Sequence, residues 1–198
     1  MEEPQNILGI DYSTSSPAVC INGKDFFFIN REPKYEGIYK EGDITIKGIW
    51  YGPKKSGHNQ LQMFGHLTHI LIQEIKHLTP GIAYIEGYSL GSKGNLTLIA
   101  ENTGVMKVAL AMLGWEIRIV SPMTAKKEFA GTGAAKKEQM ADAWFKKLGF
   151  YVHDRVGCDK GASPASDVVD SLAMLNCKSY NLKNKRKPRR KKRNEPTQ

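Results

Sequence analysis

The chain has 198 residues, 40% of them hydrophobic, and 29 Lys and Arg against 20 Asp and Glu give it a net charge of +9. That length and composition predict one soluble domain with a substantial core, and no apolar run reaches the roughly 18–20 residues that span a membrane. The opening Met-Glu-Glu-Pro-Gln-Asn lacks the basic and apolar regions of a signal peptide. Cys20, Cys158 and Cys177 lie far apart without metal-ligand spacing, so reduced thiols in a cytoplasmic protein are the expectation.

In chain order, Ile7–Asp11 reads as a strand covered on both faces, because its apolar residues do not alternate with polar ones. A turn at Tyr12–Pro17 leads to a second strand, Ala18–Asn22. The dipeptide Asn22-Gly23 is a hairpin signal, followed by a third strand at Asp25–Asn30. Residues 31–57 are rich in Gly, Lys, Glu and Tyr and hold one strand-like run, Ile44–Tyr51; they read as an excursion on the sheet. Asn59–Leu78 carries Leu61, Phe64, Leu67, Leu71, Ile75 and Leu78 at helical spacing, and Thr79-Pro80-Gly81 ends that helix. Ile82–Glu86 is the next buried strand, Leu96–Leu113 a largely apolar helix, and Glu116–Val120 a fifth strand. Lys136–Leu148 and Ala165–Tyr180 read as two more helices. The expected fold is α/β: a five-stranded mixed sheet, made of a three-stranded antiparallel meander plus two parallel strands and flanked by helices, in one domain over 1–180.

Residues 181–198 carry nine basic residues, among them Lys185, Arg186, Arg189 and Arg190, against the single acid Glu195. That leaves the first 180 residues nearly neutral. Like-charge repulsion and the lack of apolar residues predict a disordered tail. Such a polycation attracts nucleic acid through its phosphates without reading sequence; a solubilising end or a localisation signal is the alternative.

Asp11 and Glu86 each close a predicted strand, and Asp167 and Asp170 stand three apart on the last predicted helix. Each has an ordinary reading: an Asx-type turn for Asp11, a strand-end acid for Glu86, a helix N-terminal acid for Asp167. Together they suggest more. Parallel first and fourth strands would bring two acids to one end of the sheet, and a helix crossing that end would present the other two on one face. Four converging carboxylates repel unless a cation compensates them. Hard ions such as Mg²⁺ suit such ligands, with Mn²⁺ as a substitute. Two ions about 3.5–4 Å apart can activate water and stabilise the leaving oxygen of a phosphodiester; Asp11 is the expected bridge. Gly131-Thr132-Gly133 lacks the spacing of a nucleotide P-loop, so no nucleotide cofactor is expected. His66 and His69 have no acidic or cysteine companion at metal spacing.

Four stretches, Ile7–Asp11, Tyr84–Glu86, Gly131–Met140 and Ser163–Ala173, stand in an order that resembles the RuvC-type Holliday-junction resolvases of the RNase H-like nuclease superfamily. The glycine-lysine segment combined with the last stretch is the discriminating part. The resemblance implies that Asp11, Glu86, Asp167 and Asp170 bind metal, that Lys137 is the active-site lysine, and that Lys126 is a further functional cation. Lys136 is the neighbouring candidate if the register differs by one. It also implies a homodimer acting on branched DNA, especially four-way junctions, with paired nicks that leave 5′-phosphate and 3′-hydroxyl ends in DNA recombination and repair. A phage-encoded member would act in the host cytoplasm. The family's junction-wedging aromatic falls at Ser89 here, a departure that leaves Tyr88 or Leu90 as candidates. Residues 31–57 are a second departure. Rival readings are a broader debranching endonuclease acting on flaps and forks, a noncatalytic junction-binding protein, and an RNA–DNA hybrid hydrolase.

Overall fold

A computed structural model describes residues 5–52, 59–87 and 96–177. Its centre is a seven-stranded sheet built from β1 (Ile7–Asp11), β2 (Ala18–Ile21), β3 (Asp25–Asn30), β4 (Gly37–Glu41), β5 (Ile44–Trp50), β6 (Ile82–Glu86) and β7 (Glu116–Val120). The strands lie in the order β4-β5-β3-β2-β1-β6-β7. β1, β6 and β7 run parallel, while β2 is antiparallel to both β1 and β3. The expected meander and parallel strands are therefore present, on an α/β fold of the expected class.

Two strands exceed the five expected. The excursion after β3 is a hairpin: β5 pairs with β3 in parallel, and β4 closes the edge antiparallel to β5. Ile44–Tyr51 was legible because apolar residues alternate along it. Gly37–Glu41 was not, because as an edge strand it buries no residue fully and carries Lys40 and Glu41. The β2–β3 turn behaves as its sequence predicts. Asn22 and Gly23 both take positive φ, 53° and 79°, the primed-turn backbone that matches strand twist, within the three residues that join Ile21 to its partner Asp25.

Six α-helices cover the sheet among the described residues: α1 (Gln60–Ile75), α2 (Leu96–Met112), α3 (Pro122–Ala130), α4 (Lys137–Leu148), α5 (Val152–Val156) and α6 (Ala165–Asn176). α1 and α2 pack on one face, around Leu8, Ile10, Val19, Phe27, Ala83 and Ile85. α3, α4, α5 and α6 pack on the other, around Phe28, Tyr84, Trp144 and Val168. Short α3 and α5 were not expected. α3 has only Ala125 and Phe129 as buried anchors, and α5 is little more than one turn. α6 is buried along almost its whole length, so its sequence shows apolar content more than amphipathic contrast.

Strand alternation positions the acids. Along β1, Leu8 and Ile10 enter the α1–α2 core, so Gly9 and Asp11 face α6. Along β6, Ala83 and Ile85 enter the same α1–α2 core, so Tyr84 and Glu86 also face α6. Since Ile10 is level with Ile85, Asp11 and Glu86 lie side by side on adjacent parallel strands.

Candidate active site

The close approach of α6 to β1 depends on a missing side chain. A Cβ at Gly9 would collide with the Ser171 carbonyl oxygen and lie 2.8 Å from Leu175 Cβ. With glycine there, the helix rests directly on the strand, and the two acids in its first half, Asp167 and Asp170, reach the sheet end that carries Asp11 and Glu86. The loop after Asp11 is tied from the opposite face. Tyr12 Oη and Thr68 Oγ1 of α1 share a buried hydrogen bond of 2.9 Å, and Asn102 Nδ2 of α2 donates to the Ser13 carbonyl.

The electrostatics show that the four acids share one environment. Asp11 is 8% exposed, and burial is the largest cause holding its carboxyl well above the ordinary carboxylate range. The charges of Glu86, Asp167 and Asp170 push it further, and a hydrogen bond with the Glu86 carboxyl acts in the same direction. Burial, then Glu86 and Asp167, push Asp170 up to about 7, while Lys126 and Lys137 oppose the rise. Burial also raises Asp167, against a hydrogen bond from Ser163 and the charge of Lys137. Burial first, and mutual repulsion at Asp11 and Asp170, keep these groups from ionising together.

The lysines separate by position. Lys137 Nζ donates to Ser166 Oγ at 3.0 Å, and Ser166 Oγ lies 3.3 Å from Asp167 Oδ1. Ser163 Oγ donates to the other oxygen of Asp167. A relay of two serines thus holds Asp167 and ties the first residue of α4 to α6. Lys136 is the N-cap of α4, exposed, with its backbone N–H bonded to Gln139 Oε1 at 2.8 Å. The structure therefore brings Lys137, rather than Lys136, to the acids. Lys126 on α3 acts on Asp170 from another side. In the sequence, Ser163 and Ser166 stand out only as part of the stretch that carries the resemblance, and Gly9 has no role of its own. The serine-rich run Ser163-Pro164-Ala165-Ser166 beside Asp167 was the available clue. Tyr88, Lys185, Arg186, Arg189 and Arg190 lie outside the described residues.

Among the described residues, no three His, Cys, Asp or Glu side chains are drawn together tightly enough to chelate an ion as they stand. The donor set nevertheless fits a hard divalent cation. It consists of carboxylate oxygens whose mutual repulsion is only partly offset by Lys126 and Lys137, and the Asp11 and Glu86 carboxyls are near enough to act on each other directly. A cation between these carboxylates would supply the charge they lack. No described helix is long and apolar enough to cross a membrane.

No family model matches the chain. By sequence it is similar to the crossover junction endodeoxyribonucleases RuvC of two Chloroflexus aurantiacus strains, each 30% identical over 121 residues. The match takes in 61% of this chain and 66% of each relative, just under two thirds of their length. By structure it is similar to Thermus thermophilus RuvC at a TM-score of 0.54 and 16% identity, over 89% of this chain and 94% of that one. It is also similar to T. thermophilus RuvC in complex with Holliday junction substrate, at a TM-score of 0.57 and 17% identity over 90% and 94%.

Proposed function

We propose that this chain is a RuvC-type member of the RNase H-like nucleases, a divalent-metal-dependent endonuclease that resolves four-way DNA junctions; its similarity to the RuvC endonucleases and its fold support the reading. The observation that carries the reading is the meeting of Asp11, Glu86, Asp167 and Asp170 at one end of one sheet face, with Lys137 held there through Ser166. Phosphodiester hydrolysis builds negative charge on the phosphoryl oxygens, and an ordered cluster of acids with nearby ammonium groups is suited to manage it.

Asp11, Glu86, Asp167 and Asp170 would hold the cation, with Mg²⁺ as the proposed ion, two per site, and Mn²⁺ as a substitute. When bound, it supplies the positive charge that water attack on a phosphodiester requires. Lys137 contributes a fixed ammonium, kept in place by its 3.0 Å bond to Ser166 Oγ. Ser163 and Ser166 orient Asp167 so that its oxygens are presented in one arrangement. Lys126 adds a second positive group on the α3 side. Two copies of the chain would deliver paired nicks to one junction, and the polybasic tail would add affinity through phosphates.

Single-turnover cleavage of a four-way junction, a flap, a fork and a linear duplex in Mg²⁺ tests this. The junction should be cut at least about tenfold faster than the other substrates, a preference of roughly 1.4 kcal/mol. Asp11→Asn should lower cleavage about 10³-fold while junction binding persists. Equal rates on junction, flap and fork would favour a general debranching nuclease. Junction binding without any cleavage would make the chain a noncatalytic binder.

A further inference from the structure

The hairpin extension changes the end of the sheet that bears the acids. β3 and β5 both run parallel to β1, so their carboxyl ends point the same way as Asp11. The registers give a common level: Asp11 pairs with Ala18, Ala18 with Phe28, and Phe28 with Gly48. Arg31 and Trp50 follow Phe28 and Gly48 by three and two residues. They therefore stand about 7–10 Å above the level of Asp11, at about 3.3 Å per residue. β3 and β5 lie two and three strands from β1, about 10–14 Å sideways at the usual strand spacing. The extension is a raised ledge beside the carboxylates, with Trp50 on the α6 face that Asp11 shares and the Arg31 side chain turned around the strand ends to the α1 face, against Tyr51 and Met63.

Its chemistry suits a polyanion with flat groups. Trp50 is 40% exposed, and its indole N–H donates to the Arg31 carbonyl at 3.1 Å, which fixes the ring. The Arg31 guanidinium lies 4.8 Å from the Tyr51 ring centroid and donates to Met63 Sδ. Both neighbours are uncharged, and Arg31 has no acidic partner among the described residues. The adjacent acid, Glu32, is already paired with Lys34 at 2.9 Å. A held guanidinium with unused donors is complementary to a phosphate, and an exposed, fixed indole offers a stacking surface.

We propose that the carboxyl ends of β3 and β5 form a second DNA contact, which receives an arm of the branched substrate as it leaves the carboxylate site. Arg31 pairs with a backbone phosphate, and Trp50 packs flat against the neighbouring nucleotide. The inference rests on the nuclease reading above and adds a determinant of how the substrate is oriented.

The test measures four-way-junction binding by the full chain across a salt series, with Arg31→Ala, Trp50→Ala and Lys24→Ala. Lys24 lies at the β2–β3 turn, at the opposite end of the sheet, and removes one positive charge there. Arg31→Ala should raise Kd about 3–10-fold and reduce the slope of log K against log salt by about 1. Trp50→Ala should raise Kd about tenfold. Lys24→Ala should bind as the unsubstituted chain does. Titrating the unsubstituted chain with junction gives a readout independent of variant folding. Of its three tryptophans, Trp115 and Trp144 are 4% and 0% exposed, so a change in emission on binding reports Trp50. Unchanged emission, together with unchanged Kd in both ledge variants while the unsubstituted chain still cleaves junctions, would overturn the ledge alone. Loss of affinity equal to that of Lys24→Ala would also overturn it, reducing the effect to net charge. Failure of the unsubstituted chain to bind or cut junctions would instead overturn the nuclease reading.

Discussion

At the amino end of β1, polar groups are matched one to one. Asn22 Oδ1 accepts from Ile7 N–H at 2.8 Å, Asn22 Nδ2 donates to Asn6 Oδ1 at 2.9 Å, and Asn6 Nδ2 donates to the Thr79 carbonyl at 2.9 Å. At the carboxyl end of the same five-residue strand, Asp11 sits among three other acids that push its proton affinity up. One end is arranged for its own stability. The other gathers negative charge that Lys126 and Lys137 only partly offset, and that difference separates a structural strand end from a working one.

The strongest way to break the contrast is to push the working end apart while leaving its acids in place. Gly9→Ala does so, because the new Cβ strikes the backbone of α6 at Ser171 and the side chain of Leu175. Overpacking of this kind costs about 1–3 kcal/mol. The larger effect should be on chemistry, since displacing Asp167 and Asp170 by even 1 Å costs about 10²-fold. Thermal melts and single-turnover rates should show a moderate fall in Tm and a disproportionate fall in cleavage. A variant that melts lower yet cuts at the normal rate would detach the β1–α6 contact from the site.

The second experiment weighs the surplus charge directly. Asp11, Asp167 and Asp170 all have native proton affinities above the ordinary carboxylate value, with Asp170 at about 7. Between the unfolded carboxylate range, near pH 4, and pH 7 the native state therefore holds protons that the unfolded chain has released. Stability then increases as pH falls through that window and declines as pH rises. Metal-free protein should melt about 3–6 °C higher at pH 5.5 than at pH 8, corresponding to roughly 1–2 kcal/mol. Mg²⁺ should raise Tm more at pH 8, where the carboxylates are free of protons, than at pH 5.5. A metal-free Tm that rises with pH over this range would mean that the acids are not the burdened groups described here.

Much of this contrast was legible in the residues themselves. Asp11 and Glu86 end apolar runs, and Asp167 and Asp170 have the spacing of one helix face, so the four acids stood out before any fold was known. The turn at Asn22-Gly23 was equally readable, because its positive φ values select those residue types. What stayed hidden depends on tertiary contact. Gly9 looks like any strand glycine until α6 lies on it, and Ser166 looks like a helix-start residue until Lys137 arrives from another helix. The β4 edge strand was masked by its lack of burial on either side. The ledge residues were readable only as part of an excursion, because their relation to Asp11 runs through three strand registers.

The smallest expected effect is also the cleanest separation of the two ends. Asn22→Ala removes the bonds to Ile7 and Asn6 and places alanine at a φ of 53°, a conformation that asparagine tolerates better. The cost should be about 1 kcal/mol, or roughly 2–4 °C in Tm. Cleavage below the melting range should stay within about twofold of normal, a change of less than roughly 0.5 kcal/mol in barrier. β1 is only five residues long, so a shift in its register would reach Asp11 immediately. Normal cleavage would therefore mean that its pairing with β2 and β6 holds the strand in register without the amino-terminal clasp. A loss of cleavage comparable to that of Gly9→Ala would show the opposite: that the clasp sets the position of Asp11, and that the two ends of β1 form one mechanical unit.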